Sequence, residues 1–215
     1  MNNEQRPGVD VKTGYDAWAR NYDDMDNATR DLDATTLRRT LVSLSADHVL
    51  ELGCGTGKNT TWLAKQFGHV TAIDFSAGML NQARQKTTAK NVEFYQNDIS
   101  KPWPAESSKF DLVTCNLVLE HIADLHFIYK EAERVLRPDG QMFLCELHPY
   151  RQLKGGQAQC LSKTGDSVPI ATYVHSLAEF INEAIAVDLV VSDVGEWHAP
   201  SDDIPRLLSL LFVKR

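Results

Sequence analysis

Three stretches of the chain place residue types that hold a nucleotide-like ligand at suitable spacings. The first is His48-Val49-Leu50-Glu51-Leu52-Gly53-Cys54-Gly55-Thr56-Gly57-Lys58. A short apolar run there carries one acid and breaks into three glycines at alternate positions. Glycine has no Cβ and tolerates φ > 0, so backbone in such a turn can approach a ligand closely. Asn59 to Phe67 follows with a helical pattern, and a helix start adds unpaired N–H groups at the same place. The second is Asp74, 23 residues after Glu51, where a carboxylate can accept both hydroxyls of a ribose. The third is Asp98 with apolar Ile99 beside it. That pair suits an adenine, with the carboxylate on the exocyclic amine and the aliphatic side chain against the ring.

The glycine spacing discriminates among nucleotide classes. A phosphate-binding P-loop needs G-x-x-x-x-G-K-[S/T]. Here Gly57-Lys58 is followed by Asn59, and no glycine lies five residues before Gly57. A dinucleotide fingerprint starting at Gly53 needs glycine at position 58, where this chain has Lys58. That disfavours an NAD(P) oxidoreductase. Proton-transfer candidates are His148, directly after an apolar run, then His121, His175 and Glu120. A histidine in such a place serves either as a base or as a structural hydrogen-bonder. Tyr150, Arg151, Glu196, Trp197 and His198 are candidates for shaping a substrate, and Arg151 suits either a substrate carboxylate or a solvated surface. No cysteine, histidine or carboxylate spacing marks a metal site, so none is expected.

These residues need a scaffold that brings strand ends together. Short apolar strands alternate with helical stretches, at 48–52, 69–74, 92–98, 110–116, 141–147, 188–197 and 207–214 for the strands. Helices are expected at 59–67, from a Ser76 N-cap to about Lys86, at 124–136 and at 176–186. Alternation of this kind means an α/β fold: a Rossmann-like, seven-stranded, mainly parallel sheet with helices on both faces. The last two strands, joined across 196–206 without a helix, should form an antiparallel C-terminal edge hairpin. The chain reads as one domain, residues 1–215. Residues 11–44 would be N-terminal lid helices, 48–147 a cofactor-binding core, 148–175 an irregular substrate roof, and 176–215 the C-terminal helix and edge strands. Residues 1 to about 10 look like an adaptable leader. Tyr15, Trp18 and Tyr22 fall on one helical face, as a packing stripe or as an aromatic lid over a cationic ligand.

A length of 215 residues supports a real core. The net charge of −7 argues against a nucleic-acid partner or an anionic membrane, which call for a basic face. No apolar run approaches a membrane span, and the N-terminus lacks a signal-peptide core. Cys54, Cys115 and Cys145 sit in or beside apolar runs as core residues. A reducing cytoplasm and a monomer or homodimer are expected.

At Val49 to Gly57 the chain resembles the class I S-adenosylmethionine-dependent methyltransferases, in their small-molecule, type 11-like branch. Val70 to Met79 (VTAIDFSAGM) resembles the motif ending the second strand, and Asn97-Asp98-Ile99 the adenine motif. Phe110 to Ile122 (FDLVTCNLVLEHI) and Arg134 to Gly140 (RVLRPDG) resemble later motifs, and Tyr15-Asp16-x-Trp18-Ala19-x-x-Tyr22-Asp23 the leader helix. The resemblance implies that Gly53, Gly55 and Gly57 line the methionine portion of S-adenosylmethionine, with Glu51 beneath. It puts Asp74 on the ribose, Phe75 and Met79 beside the nucleoside, and Asp98 and Ile99 on the adenine edge. Asn116 and Leu117 would contact the methionine end, with His121 one turn further on and Tyr15 and Tyr22 as lid residues. The implied reaction is methyl transfer by direct displacement to a nucleophilic N or O atom of a small-molecule acceptor, giving S-adenosylhomocysteine. His148 is the first choice of base, because its strand end should face the methyl group, and His121 the second. Tyr22, His148, Tyr150, Arg151, His175 and Trp197 are the substrate-binding candidates. A protein-modifying methyltransferase and a non-catalytic protein that binds the same cofactor remain alternatives.

Overall fold

Apolar runs bounded by turns pair as strands, and capped amphipathic stretches between them cover the sheet. The computed structural model describes residues 5–161 and 166–215. The elements run α1 (Val11–Trp18), α2 (Ala28–Leu41), β1 (His48–Leu52), α3 (Thr60–Gln66), β2 (His69–Asp74), α4 (Ala77–Lys86), β3 (Val92–Gln96), β4 (Phe110–Asn116), α5 (Leu125–Val135), β5 (Leu136–Leu147), α6 (Pro149–Leu153), β6 (Gln159–Leu161), β7 (Ser167–Pro169), α7 (Leu177–Ile185), β8 (Leu189–Trp197) and β9 (Leu207–Lys214). A one-turn 3-10 helix, Leu119–His121, follows β4.

The seven-stranded sheet has the order β3-β2-β1-β4-β5-β9-β8. β1 to β5 pair in parallel, and β9 pairs antiparallel with both β5 and β8. The edge hairpin is therefore present, with β9 as its inner strand. The strand order reverses between β1 and β4, and open α/β sheets leave a crevice at the carboxyl ends of the strands where this happens. The glycine turn leaves from that point.

Strand alternation divides the core between the two faces. Leu50, Leu52, Ile73, Val113 and Leu144 pack with Ile128, Tyr129, Phe180 and Ala184 from α5 and α7. Val49, Val70, Leu112, Phe143 and Cys145 pack with Leu37, Leu41, Leu63 and Phe67 from the other side. All four cysteines are free and buried. Side-chain caps set the helix starts: Asp10 accepts from Thr13 N, Asn27 from Thr29 and Arg30 N, and Ser76 from Met79 N. Among the described residues, no helix is long and apolar enough to cross a membrane.

Three local expectations need correction. β5 begins at Leu136, because the Arg137–Gly140 turn is absorbed as a register shift opposite Phe110 and Leu112. The leader is not free over residues 5–9: Arg6 bridges Thr172 and Val9 bridges Ile170, with Arg6 N donating to Thr172 O at 2.7 Å. Residues 1–4 lie outside the described residues. The 148–175 stretch is not without structure either, since it holds α6 and the β6–β7 ribbon. Gly165 lies outside the described residues.

Candidate functional site

β1 carries Glu51 into the turn, whose glycines have φ of 65° at Gly53, 54° at Gly55 and 80° at Gly57. Only glycine takes such angles readily. Backbone bonds from Cys54 N to Ile73 O and from Gly57 N to Cys54 O, both 3.0 Å, fix the turn. Asp74, at the end of β2, grips it from below: Oδ2 accepts from Gly55 N and Oδ1 from Ser76 N, each at 2.8 Å. Burial pushes the Asp74 carboxyl up to about 6, against the pull of those backbone donors. Glu51 Oε2 accepts from Thr60 Oγ1 at 2.5 Å. Its burial outweighs that bond and raises the carboxyl to about 8.

The end of β4 forms the opposite wall. Asn116 Nδ2 donates to Asp33 Oδ1 at 2.5 Å and Asn59 Nδ2 to Asp33 Oδ2 at 2.9 Å. This ties α2 to both walls. Burial raises the Asp33 carboxyl despite these donors. Leu117 turns the chain at φ 57°, and its N–H donates to Cys145 O at 2.9 Å. Val118 N and Leu119 N then both donate to Glu146 Oε1 at 3.0 Å. Burial holds the Glu146 carboxyl at about 8 against those two donors.

α1 closes the top. It is docked by Ser76 Oγ donating to Asp16 Oδ1 at 2.5 Å, and the connection to α2 by Thr56 Oγ1 donating to Asp23 Oδ1 at 2.9 Å. Tyr15 faces Phe75, Tyr22 and His121 at ring-centroid distances of 6.5, 6.3 and 5.4 Å. His121 Nδ1 lies 2.9 Å from the Ala171 carbonyl, which only accepts, so Nδ1 carries the proton. Nε2 is then the acceptor for Tyr15 Oη–H at 3.0 Å. Burial lowers the His121 pKa to about 4, with the Ala171 bond opposing, and it raises Tyr15 well above its usual range. A neutral imidazole and a protonated phenol therefore face each other at neutral pH. Arg30 stacks 4.1 Å over the Tyr22 ring and donates to the carbonyls of Tyr22 and Met25.

These walls enclose a cavity of about 610 Å³, in the range of small-ligand sites. It is lined by Tyr15, Tyr22, Glu51, Gly53, Gly55, Asp74, Phe75, Met79, Asp98, Ile99, Asn116, Leu117 and His121. Gly57 does not line it, because a Cβ there would meet Ala83 at 3.2 Å; the residue faces α4. Asp98 Oδ1 accepts from Ser100 N and Ser100 Oγ at the rim. The aromatic faces of Tyr15 and Tyr22 above suit a ligand that carries positive charge.

The substrate-side expectations fare differently. His148 is outside the cavity lining. Its Nδ1 caps α6 by accepting from Tyr150 N, and its Nε2 pairs with Glu196 at 3.1 Å. These bonds, with His148 N donating to Arg206 O at 2.9 Å, hold the residue at the start of α6 and not in the cavity wall. Tyr150 is 45% exposed. Arg151 pairs with Asp202 at 2.7 Å. His175 bonds Glu179 and the Ile122 carbonyl, both at 2.8 Å. Trp197 donates to Ser209 Oγ at 2.8 Å under Arg39. None of these four lines the cavity. Of the expected roof, Tyr173 alone among the described residues reaches it; the stretch buttresses α1 from behind, where Ile170 packs on Trp18.

Residues not foreseen in the sequence include Asp33, Arg30, the leader's Gln5 and Asp10, and Val11 and Lys12 at the start of α1, all of which line the cavity. Asp33 sits 26 and 83 positions from its two amide partners. Its one visible signal is an acid on the face of α2 that also carries Leu37 and Leu41.

A methyltransferase domain family matches residues 50–144. The demethylmenaquinone methyltransferase of Clavibacter sepedonicus is 31% identical over 156 residues, covering 71% of this chain and 62% of that protein. The ubiquinone biosynthesis O-methyltransferase of Coxiella burnetii is 28% identical over 109 residues, covering 50% of this chain and 46% of that one. The chain thus spans less than two thirds of these relatives' own length. Among solved structures, the N-methyltransferase NodS of Bradyrhizobium japonicum, in complex with S-adenosylhomocysteine, superposes with a TM-score of 0.75 at 20% identity, covering 94% of this chain and 97% of that one. The sheet order, the glycine turn and the cavity at the strand-order reversal agree with these matches: residues 50–144 form a methyltransferase domain, and the chain has the fold of the S-adenosylmethionine-dependent methyltransferases.

Proposed function

We propose that this chain transfers the methyl group of S-adenosylmethionine to a nucleophilic N or O atom of a small-molecule acceptor. The observation that carries the reading is the cavity. One continuous cavity joins the glycine turn, Asp74, Asp98 and Ile99 on the nucleoside side to Tyr15, Tyr22 and His121 on the opposite side. Its residues fit the cofactor: Asp74 has lone pairs left for ribose hydroxyls, and the aromatic faces of Tyr15 and Tyr22 suit a cation. The bound cofactor supplies a methyl group already activated on a sulfonium.

The protein's part is alignment, water exclusion and proton handling. Holding acceptor and methyl in attack geometry is worth roughly 7–11 kcal/mol. Tyr15 and Tyr22 close the site beneath α1. His121 takes the role of base in place of His148. Its neutral Nε2 faces the cavity wall, and with the Tyr15 hydroxyl swung aside or acting as relay it accepts the acceptor's proton as the new bond forms. Such a base contributes about 10²–10⁴-fold. The relatives are named for a demethylmenaquinone, an O- and an N-methylation, which supports a small acceptor without choosing the atom.

The test is incubation with S-adenosylmethionine labelled in its methyl group and a deproteinised small-molecule extract. Label should move into a small molecule, and much less of it with His121→Ala. Cofactor binding without transfer to any small molecule would favour the non-catalytic reading, and label in protein substrates the protein-modifying one. A cytoplasmic monomer or homodimer is the accompanying expectation.

A further inference from the structure

The parallel pairing of β1 and β2 does something at the opposite end of the sheet as well. His48 and His69 are register partners at the first positions of the two strands. Their rings stack at 4.9 Å with 16° between planes. Asp47, one residue before β1, sets its carboxylate across both: Oδ2 lies 3.5 Å from His48 Nε2, and Oδ1 3.6 Å from His69 Nδ1. Those separations exceed a normal hydrogen bond. They are close to the spacing a metal ion imposes, since two ligand atoms each about 2.1 Å from a tetrahedral ion stand roughly 3.4 Å apart. One ligand atom from each of the three residues lies within 4.8 Å of the other two, and among the described residues no other such group of histidine, cysteine and carboxylate occurs.

The surroundings hold the main chain of these ligands in place. Asp111 Oδ2 accepts from both Asp47 N and His48 N, at 2.9 and 2.8 Å, and is itself fixed by Arg137 at 2.8 Å. His69 N donates to Asp47 O at 2.6 Å. Gly68 clears the room, because a Cβ there would fall 1.9 Å from Asp47 Oδ1. The side chains stay reachable, with His69 and Asp47 each 65% exposed and His48 28%.

We propose that Asp47, His48 and His69 form a binding site for one divalent transition-metal ion. Two imidazoles and a carboxylate select zinc, nickel or copper over magnesium or calcium. Three protein ligands leave the remaining coordination to water. β1 spans the sheet at about 3.3 Å per residue, so the ion sits some five residues away from the methyl-transfer cavity. Its effect is to clip the starts of two adjacent strands together.

Calorimetric titration of Zn²⁺ into the tag-free full chain at pH 7.5 tests this, with His69→Ala and Asp47→Ala compared. Both substitutions are at exposed side chains, and circular dichroism confirms that each variant keeps the fold. The expected result is saturable uptake of about one ion per chain, weakened at least about tenfold in each variant. Absence of saturable binding, or undiminished binding in either variant, overturns the proposal. A parallel Co²⁺ titration read by absorption separates the site from the four cysteines: a thiolate charge-transfer band would place the ion on sulfur and overturn it too.

Discussion

Gly53→Ala probes the turn on which the cavity depends. Two costs can be read from the structure. Gly53 has φ of +65°, and a Cβ in the left-handed region costs about 1–2 kcal/mol. That Cβ would also lie 2.3 Å from Val118 Cγ2 and 3.3 Å from Cγ1. Valine has little rotamer freedom to retreat, and such overpacking costs about 1–3 kcal/mol. Together the variant should lose about 2–5 kcal/mol of unfolding free energy. Gly55→Ala is the internal control. It has φ of +54° but no heavy atom within 4 Å of a built Cβ, so it should lose only the strain, about 1–2 kcal/mol. Urea denaturation of the ligand-free chain reads both. Repeating Gly53→Ala in a Val118→Ala background removes the two methyls and should restore about 1–2 kcal/mol as a coupling energy. Equal losses for the two glycines, or a cycle with no coupling, would refute the claim that the turn is wedged against the β4 wall.

Asp74→Ala takes the carboxylate acceptor from the ribose hydroxyls and should weaken S-adenosylhomocysteine binding by a few kcal/mol at most; calorimetry reads it. His121→Ala should lower turnover by about 10²–10⁴-fold with little change in cofactor affinity, whereas His148→Ala should leave turnover unaltered; the reverse pattern would return the base to the end of β5. The ligand-free chain should be less stable at pH 8.5 than at pH 6. Glu51, Glu120 and Glu146 rise from 4.5 to about 8, 7 and 8 in the folded state, and Asp74 from 3.8 to about 6, all chiefly by burial. A raised folded value means stability that is complete below the ordinary one and is lost as pH climbs through 6 to 8. His121 works oppositely, losing its contribution only as pH falls from 6.5 towards 4; a urea midpoint that rises from pH 6 to pH 8.5 would contradict the buried-acid reading. Gly8→Ala would bring a Cβ within 2.4 Å of the Ile170–Ala171 backbone and should peel the leader away, seen as faster amide exchange at Arg6 and Ala171.

The glycine turn and the strand-end acids were legible in the sequence because they are contiguous, strand-terminal signals. A glycine turn states its own backbone angles, and acids at the ends of apolar runs must gather along the carboxyl edge of a parallel sheet. β1, β2 and β9 match the expected boundaries residue for residue. The partners of the remaining candidates were not legible, because tertiary contacts make them. His148 looked favoured by position, yet Glu196, 48 residues on, draws its imidazole away. His121 was a candidate from its place after the fourth strand, but its meeting with Tyr15, 106 residues earlier, follows from no spacing. Asp33 shows in the sequence only as an acid on the Leu37–Leu41 face of α2; its amide partners Asn59 and Asn116 lie far along the chain. The same holds for Asp47, His48 and His69, which strand register alone brings together.

The central claim is that this cavity holds S-adenosylmethionine and its product. Isothermal titration of S-adenosylhomocysteine into the purified chain, with Asp74→Ala alongside, tests it most directly. Saturable binding of one molecule per chain, weakened by the substitution, is the predicted result. An absence of binding up to high micromolar concentration, or binding indifferent to Asp74, would contradict it.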